Sequence, residues 1–155
     1  MKKIESFTIN HLVLQPGLYV SRKDMNSWVV VTTFDLRMTA PNREPVIDVP
    51  ALHTIEHLGA TFLRNHKRNE EIVYFGPMGC RTGFYLVMFG DLNSADVYDL
   101  VIEMCDFILS FEGDIPGATP IECGNYSEQN LNMAKYYINK YRHDLITYRN
   151  FAYQN

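Results

Sequence analysis

The chain has 155 residues, 46% of them apolar and 21% charged, with a net charge of −4. Those proportions exclude disordered, collagen-like and low-complexity chains and fit one globular domain over residues 1–155, long enough to bury roughly 70% of its unfolded surface without disulfide or metal staples. No basic run could follow a phosphate backbone, no apolar stretch reaches the ~18 residues of a membrane span, and Met1–Phe7 lacks the apolar core of a signal peptide, so the expectation is a cytoplasmic protein with neither nucleic acid nor membrane as partner.

Along the chain, the alternation of Phe7, Ile9 and His11 within Ile4–Val13 suits a short strand. Ser27–Thr39 is rich in β-branched residues and predicts a long strand, with Trp28, Val30, Thr32, Phe34, Leu36 and Met38 on one face and a second face that turns polar at Asp35, Arg37 and Thr39. Asp48-Val-Pro50 marks a helix start with proline in the first turn, and Leu52, Ile55, Leu58, Gly59, Phe62 and Leu63 then recur at helical spacing. Ile72–Phe75 and Phe84–Phe89 read as two strands joined by a tight connection carrying Cys80. Ser94 suits the N-cap of a helix burying Val97, Leu100, Val101, Met104, Ile108 and Phe111. A Gly/Pro-rich loop over Glu112–Pro120 precedes a last helix predicted from Ser127 to about His143, burying Leu131, Ala134, Ile138 and Tyr141. The absence of regular βαβ alternation, with a hairpin in the middle, predicts an α+β fold: an antiparallel sheet with helices packed on one face.

His53-Thr-Ile-Glu-His57 is the segment that carries chemistry. Two histidines four apart on a helix project one turn apart from the same side, the spacing at which two imidazoles grip one tetrahedral cation. At 100° per residue they share a stripe with Ala60 and Arg64, roughly opposite the Leu52, Ile55 and Phe62 face. Chance supplies a His-x-x-x-His about once in ten such chains, and with Glu directly before the second His about once in a hundred. The order His-x-x-Glu-His is that of inverted zincins, in which the carboxylate, here Glu56, is a general base and not a ligand. A third protein ligand is needed, and Cys80, Cys123, Glu122 and His11 are the candidates. Cys80 and Cys123 lie in Gly-flanked turns, whereas Cys105 falls on an apolar helix stripe as an ordinary buried thiol. Three cysteines at irregular spacing read as thiols, not as a disulfide framework.

Ile4-Glu-Ser-Phe7 with His11, Phe34-Asp-Leu-Arg37 followed by Ala40-Pro-Asn42, His53–His57, Pro77–Tyr85 and Cys123-Gly124 span almost the whole chain. In that order they resemble the S-ribosylhomocysteine lyases, the LuxS-type synthases of the autoinducer-2 precursor. The resemblance implies a homodimer with two sites at its interface, S-ribosylhomocysteine as substrate, and one divalent metal per subunit, Fe(II) in the family and replaceable by zinc or cobalt. It implies His53, His57 and Cys123 as metal ligands, Cys80 and Glu56 as the acid/base pair, and Ser6, His11 and Arg37 as substrate-pocket residues. Tyr74-Phe75-Gly76 departs from the family's Asp-x-Ser before Pro-Met-Gly-Cys, removing a carboxylate and a hydroxyl from the substrate side. Two other functions fit the motif: an inverted-zincin peptidase with Glu122 as third ligand, and a non-catalytic metal-binding module of the same fold.

Overall fold

In a computed structural model, Ile4 and Phe7–Gln154 are described. Four strands, β1 (Gly17–Asn26), β2 (Val29–Arg37), β3 (Ile72–Pro77) and β4 (Gly83–Phe89), form one sheet in the order β1-β2-β4-β3, with every neighbouring pair antiparallel. Three helices, α1 (Val49–Asn65), α2 (Ser94–Ser110) and α3 (Leu131–Tyr148), complete the α+β architecture. Side chains alternate across a strand, so Leu18, Phe34, Leu36, Phe84, Leu86 and Met88 all point to one face. There they join Ile55, Leu58, Val101, Met104, Ile138 and Leu145 of the helices in one buried core.

The opposite sheet face is where sequence reasoning was least informative. Asp35, Arg37 and Thr39 are buried rather than presented to water, at 1%, 3% and 2% exposure. β1 was not predicted at all: its outer half, Arg22–Asn26, is exposed and charged, so no apolar alternation announces it. The strand expected over Ile4–Val13 is not found among the described residues. Phe7–Val13 forms turns, with Phe7 and Leu12 each 70% exposed, leaving no buried face for a strand to present.

Helix α1 starts as expected. Asp48 is its N-cap, accepting from the Ala51 N–H at 3.2 Å, and Pro50 sits in the first turn, where the missing donor costs nothing. Phe62 is only half-buried, so the core stripe is carried by Leu52, Ile55, Leu58 and Leu63. The N-cap of α2 is Asn93, not Ser94; Asn93 donates its N–H to Asp96 at 2.7 Å, and Ser94 lies inside the helix. The last helix begins at Leu131, capped by Asn130 accepting from the Met133 N–H, and runs to Tyr148 with Arg149 left-handed behind it, later at both ends than the polar signals at Ser127 and His143 suggested. Tyr141 is buried in this helix and donates to the Gly17 carbonyl, whereas Tyr136 and Tyr148 are exposed.

Candidate functional site

The two histidines of α1 are neither on the core stripe nor free in water. They are half-buried because the irregular stretch 112–130 folds over them. That stretch contributes three groups. The Pro116 carbonyl accepts from His57 Nδ1 at 2.7 Å, the Glu128 carbonyl lies 3.0 Å from His53 Nδ1, and Cys123 brings its Sγ within 3.4 Å of His53 Nε2. Cys123 is set by a tight turn in which its N–H bonds the Thr119 carbonyl at 2.9 Å. Gly117, at φ +73°, lets the chain turn directly over the His57 ring.

A carbonyl can only accept, so each Nδ1 that faces one carries the proton and each Nε2 is left with a lone pair. The two Nε2 atoms are 2.9 Å apart and face one another. Both ring nitrogens therefore stand close enough to bind one cation at ordinary metal–imidazole distances of about 2.0–2.1 Å. The Gln129 amide nitrogen also stands 3.2 Å from His53 Nδ1, but the Glu128 carbonyl is closer and leaves Nε2 free. Gln129 is oriented by Thr54, whose hydroxyl accepts from the Asn130 N–H at 2.9 Å and therefore donates to Gln129 Oε1 at 2.7 Å. This bridge ties the loop to the buried side of α1.

His53, His57 and Cys123 thus offer three donor atoms within 4.8 Å of one another, a set that could hold one metal ion. Two imidazoles and a thiolate would suit a borderline divalent ion, and three protein donors would leave room for a further ligand. The hollow above them is lined by Glu56, Ala60, Thr61, Pro116, Gly117, Glu122 and Gly124 as well. Glu122, the third ligand of the peptidase alternative, is exposed and accepts from the Thr119 hydroxyl at 2.7 Å, while the atom that joins the imidazoles is the Cys123 sulfur.

Cys80 is not among the residues lining that hollow. It is exposed, on the β3–β4 connection, with its Sγ 3.1 Å from Thr82 Oγ1 and 4.0 Å from Arg37 Nη1. Backbone bonds pin this connection on both sides, from Met38 and Thr39 N–H to the Thr82 carbonyl and from Ile47 N–H to the Arg81 carbonyl, while Arg81 adopts φ +59°. Arg37 is gripped by Asp35 through Nε at 3.0 Å and Nη2 at 2.5 Å and donates its remaining Nη1 to Thr82 at 2.6 Å. Burial works against the charge on Arg37, but Asp35 outweighs it and holds the guanidinium above its ordinary pKa, with Cys80 adding to the effect. Burial pushes the Asp35 carboxyl up, against the pull of Arg37 and a smaller one from His11, which places His11 within electrostatic reach of this second cluster. Ser6 lies outside the described residues. Sequence reasoning missed Asp35, Thr82, Thr54, Gln129 and the two carbonyls; only Gly117 within its Gly/Pro-rich loop and Thr82 beside Cys80 carried any signal.

Tyr74 and Gly76 fit one another. A Cβ at position 76 would overlap the Tyr74 hydroxyl and ring, so the phenol occupies the space that a side chain at 76 would need.

A family model described as S-Ribosylhomocysteinase (LuxS) matches residues 4–151. Curated relatives named S-ribosylhomocysteine lyase include one from Finegoldia magna, 63% identical over 91% of this chain and 90% of its own. One from Clostridium beijerinckii is 56% identical over the full length of both chains, and one from Borreliella burgdorferi is 60% identical over 91% of this chain and 90% of its own.

Proposed function

Since the chain belongs to the S-ribosylhomocysteinase (LuxS) family and is a carbon–sulfur lyase, we propose that it splits S-ribosylhomocysteine into homocysteine and 4,5-dihydroxypentane-2,3-dione, the autoinducer-2 precursor. His53, His57 and Cys123 hold one divalent metal, and Glu56 and Cys80 move the protons. The observation that carries the metal assignment is the convergence of His53 Nε2, His57 Nε2 and Cys123 Sγ within 4.8 Å of one another, with each Nδ1 turned to a backbone carbonyl. The donor set suits Fe(II), and equally zinc or cobalt. When bound, such an ion supplies Lewis-acid polarisation of the sugar's carbonyl and adjacent hydroxyl.

The protein's own groups then have two tasks. The first is carbonyl migration: a base removes the proton from the carbon next to the carbonyl, its conjugate acid returns a proton to the former carbonyl carbon, and the proton of the neighbouring hydroxyl passes to the former carbonyl oxygen. Performed twice, this carries the carbonyl from C1 through C2 to C3. Cys80 and Glu56 work on opposite sides of the sugar, each contributing about 10²–10⁴ in rate. The second is elimination: the proton at C4 is taken, the C5–S bond breaks with its electron pair on sulfur, and homocysteine leaves after receiving a proton. The remaining enol rearranges to the dione.

Arg37 Nη1 stands 4.0 Å from the Cys80 sulfur and gives it a cationic neighbour. His11 and Ser6 complete the sugar pocket. The protein acts in the cytoplasm as one lyase domain that dimerises with its sites at the interface; the exposed Ile121 next to the metal loop, and Phe7 and Leu12 in the N-terminal segment, are apolar surface for a second copy to cover.

Metal content and thiol release test this function together. Cys123→Ala should lose the ion while Glu122→Ala keeps it, the reverse of what a peptidase site requires. Release of thiol from S-ribosylhomocysteine should vanish in both Cys80→Ala and Glu56→Gln, whereas robust turnover in either variant removes that residue from the mechanism.

A further inference from the structure

Among the described residues, Asp35 and Arg37 are the only fully buried charged side chains. Asp35 meets a second partner besides Arg37: Tyr153 donates its hydroxyl to Asp35 Oδ2 at 3.0 Å, the same oxygen that receives Arg37 Nη2. Tyr153 belongs to the tail beyond α3, and the tail is held by specific contacts. Its ring stacks on Tyr19 at 4.6 Å, and Tyr19 in turn donates to the Gln15 carbonyl at 2.9 Å. Just before it, Asn150 donates through its amide to the Pro16 carbonyl and accepts the Leu18 N–H through its own carbonyl, and Phe151 packs on Tyr98. Ser21 on β1 also reaches the Tyr153 oxygen.

We propose that Tyr153 is a positioning residue for Cys80: by closing the outer oxygen of Asp35 it locks the Asp35–Arg37 pair in the one orientation that turns the third edge of the guanidinium to Thr82 and the Cys80 sulfur. The guanidinium is a rigid planar fork, so fixing Nε and Nη2 on one carboxylate fixes where Nη1 points. Nη1 then donates to Thr82 Oγ1 at 2.6 Å, and that hydroxyl lies 3.1 Å from Cys80 Sγ. Without the phenol hydroxyl, the buried Asp35 Oδ2 keeps only Arg37 Nη2 as its donor, and the pair loses the contact that fixes it from the tail side. The charged or titratable groups facing this cluster are Asp35 and Arg37 of β2, Tyr19 of β1, Tyr85 of β4, Tyr141 of α3, Tyr153 of the tail, and His11 of the N-terminal segment.

This inference rests on the proton-transfer role proposed for Cys80, but the reactivity of the sulfur can be read separately from turnover. In the metal-loaded protein, iodoacetamide labelling of Cys80 is followed by peptide mass spectrometry across pH 5–9, with Cys80→Ser assigning the signal. Tyr153→Phe keeps the ring and loses only the hydroxyl. Its Cys80 labelling at the acid end should slow by about threefold or more, with kcat falling while KM stays. Asp35→Asn should slow labelling further. Unchanged labelling and kcat in a folded Tyr153→Phe, with at most a lower Tm, would overturn the proposal and leave the tail as a clamp on β1. Undiminished thiol release by Cys80→Ala would instead overturn the role given to Cys80, while the labelling comparison still decides the placement given to Tyr153.

Discussion

Replacing Gly117 with alanine tests whether the loop carbonyl over His57 sets metal affinity. The added methyl would lie 3.3 Å from His57 Nδ1 and 3.5 Å from Cε1, where carbon contacts are comfortable at about 3.5–4.0 Å. The loop or the imidazole must therefore give by a few tenths of an ångström, at the 2.7 Å bond between His57 Nδ1 and the Pro116 carbonyl. Gly117 also has φ +73°, where alanine costs about 1 kcal/mol in backbone strain alone. Loss of such an outer partner of a metal-binding histidine lowers affinity about 10- to 100-fold. Gly113 is the matched control: it too has positive φ, +99°, but nothing within 4 Å of the added carbon, so Gly113→Ala carries the strain without the crowding. Chelator competition with Zn²⁺ or Co²⁺ reads both. Gly117→Ala should weaken binding at least tenfold while Gly113→Ala stays within about twofold. Equal losses in both variants, or none in Gly117→Ala, would refute the reasoning.

Thr54→Val removes the hydroxyl shared by Asn130 N–H and Gln129, leaving a buried donor unmet, and should cost about 1–3 kcal/mol in urea unfolding, with slower exchange at Asn130 than in the parent counting against it. Gly83→Ala would drive its methyl into the Leu36 carbonyl of the neighbouring strand, backbone that cannot step aside; a loss of about 3 kcal/mol or more is expected by thermal unfolding, whereas Gly79→Ala, with open space, should be nearly silent. Burial pushes the Cys105 thiol up to about 12, so the folded state keeps a proton that the unfolded chain releases near pH 9. That contribution is complete below pH 9 and is lost as pH rises towards 12, on the order of 4 kcal/mol in all. Alkaline unfolding should accordingly move to higher pH in Cys105→Ala relative to its own stability at pH 7, and an identical alkaline slope in both proteins would remove Cys105 as the cause.

What the sequence made legible follows from how local each signal is. The start of α1 is encoded in three consecutive residues, Asp48-Val-Pro50, and its core stripe in a 3.6-residue period, so both are visible without tertiary contacts. The His53–His57 pair is legible for the same reason. β1 is not, because its apolar half is just Gly17–Val20 and its charged half owes its conformation to pairing with β2. The start of α3 was missed by four residues because Ser127 and Asn130 both carry polar start signals, and the loop's attachment to Thr54 goes with the second. Arg37 looks like a surface cation in sequence; it is buried with Asp35, whose carboxylate also accepts from a tyrosine 118 positions away in the tail, and no pattern links the two. The carbonyls of Pro116 and Glu128 have no side-chain signature at all.

The phenol of Tyr74 lying across Gly76 has a historical implication. A side chain at 76 and the ring at 74 compete for one volume, so a residue larger than glycine at 76 requires the half-exposed Tyr74 ring to turn aside. A lineage moving between Tyr-x-Gly and Asp-x-Ser by single changes must pass through a form with the ring turned aside or with both hydroxyls gone. A side chain grafted at 76 alone therefore moves the Tyr74 ring towards solvent, whereas the paired exchange leaves both positions unstrained.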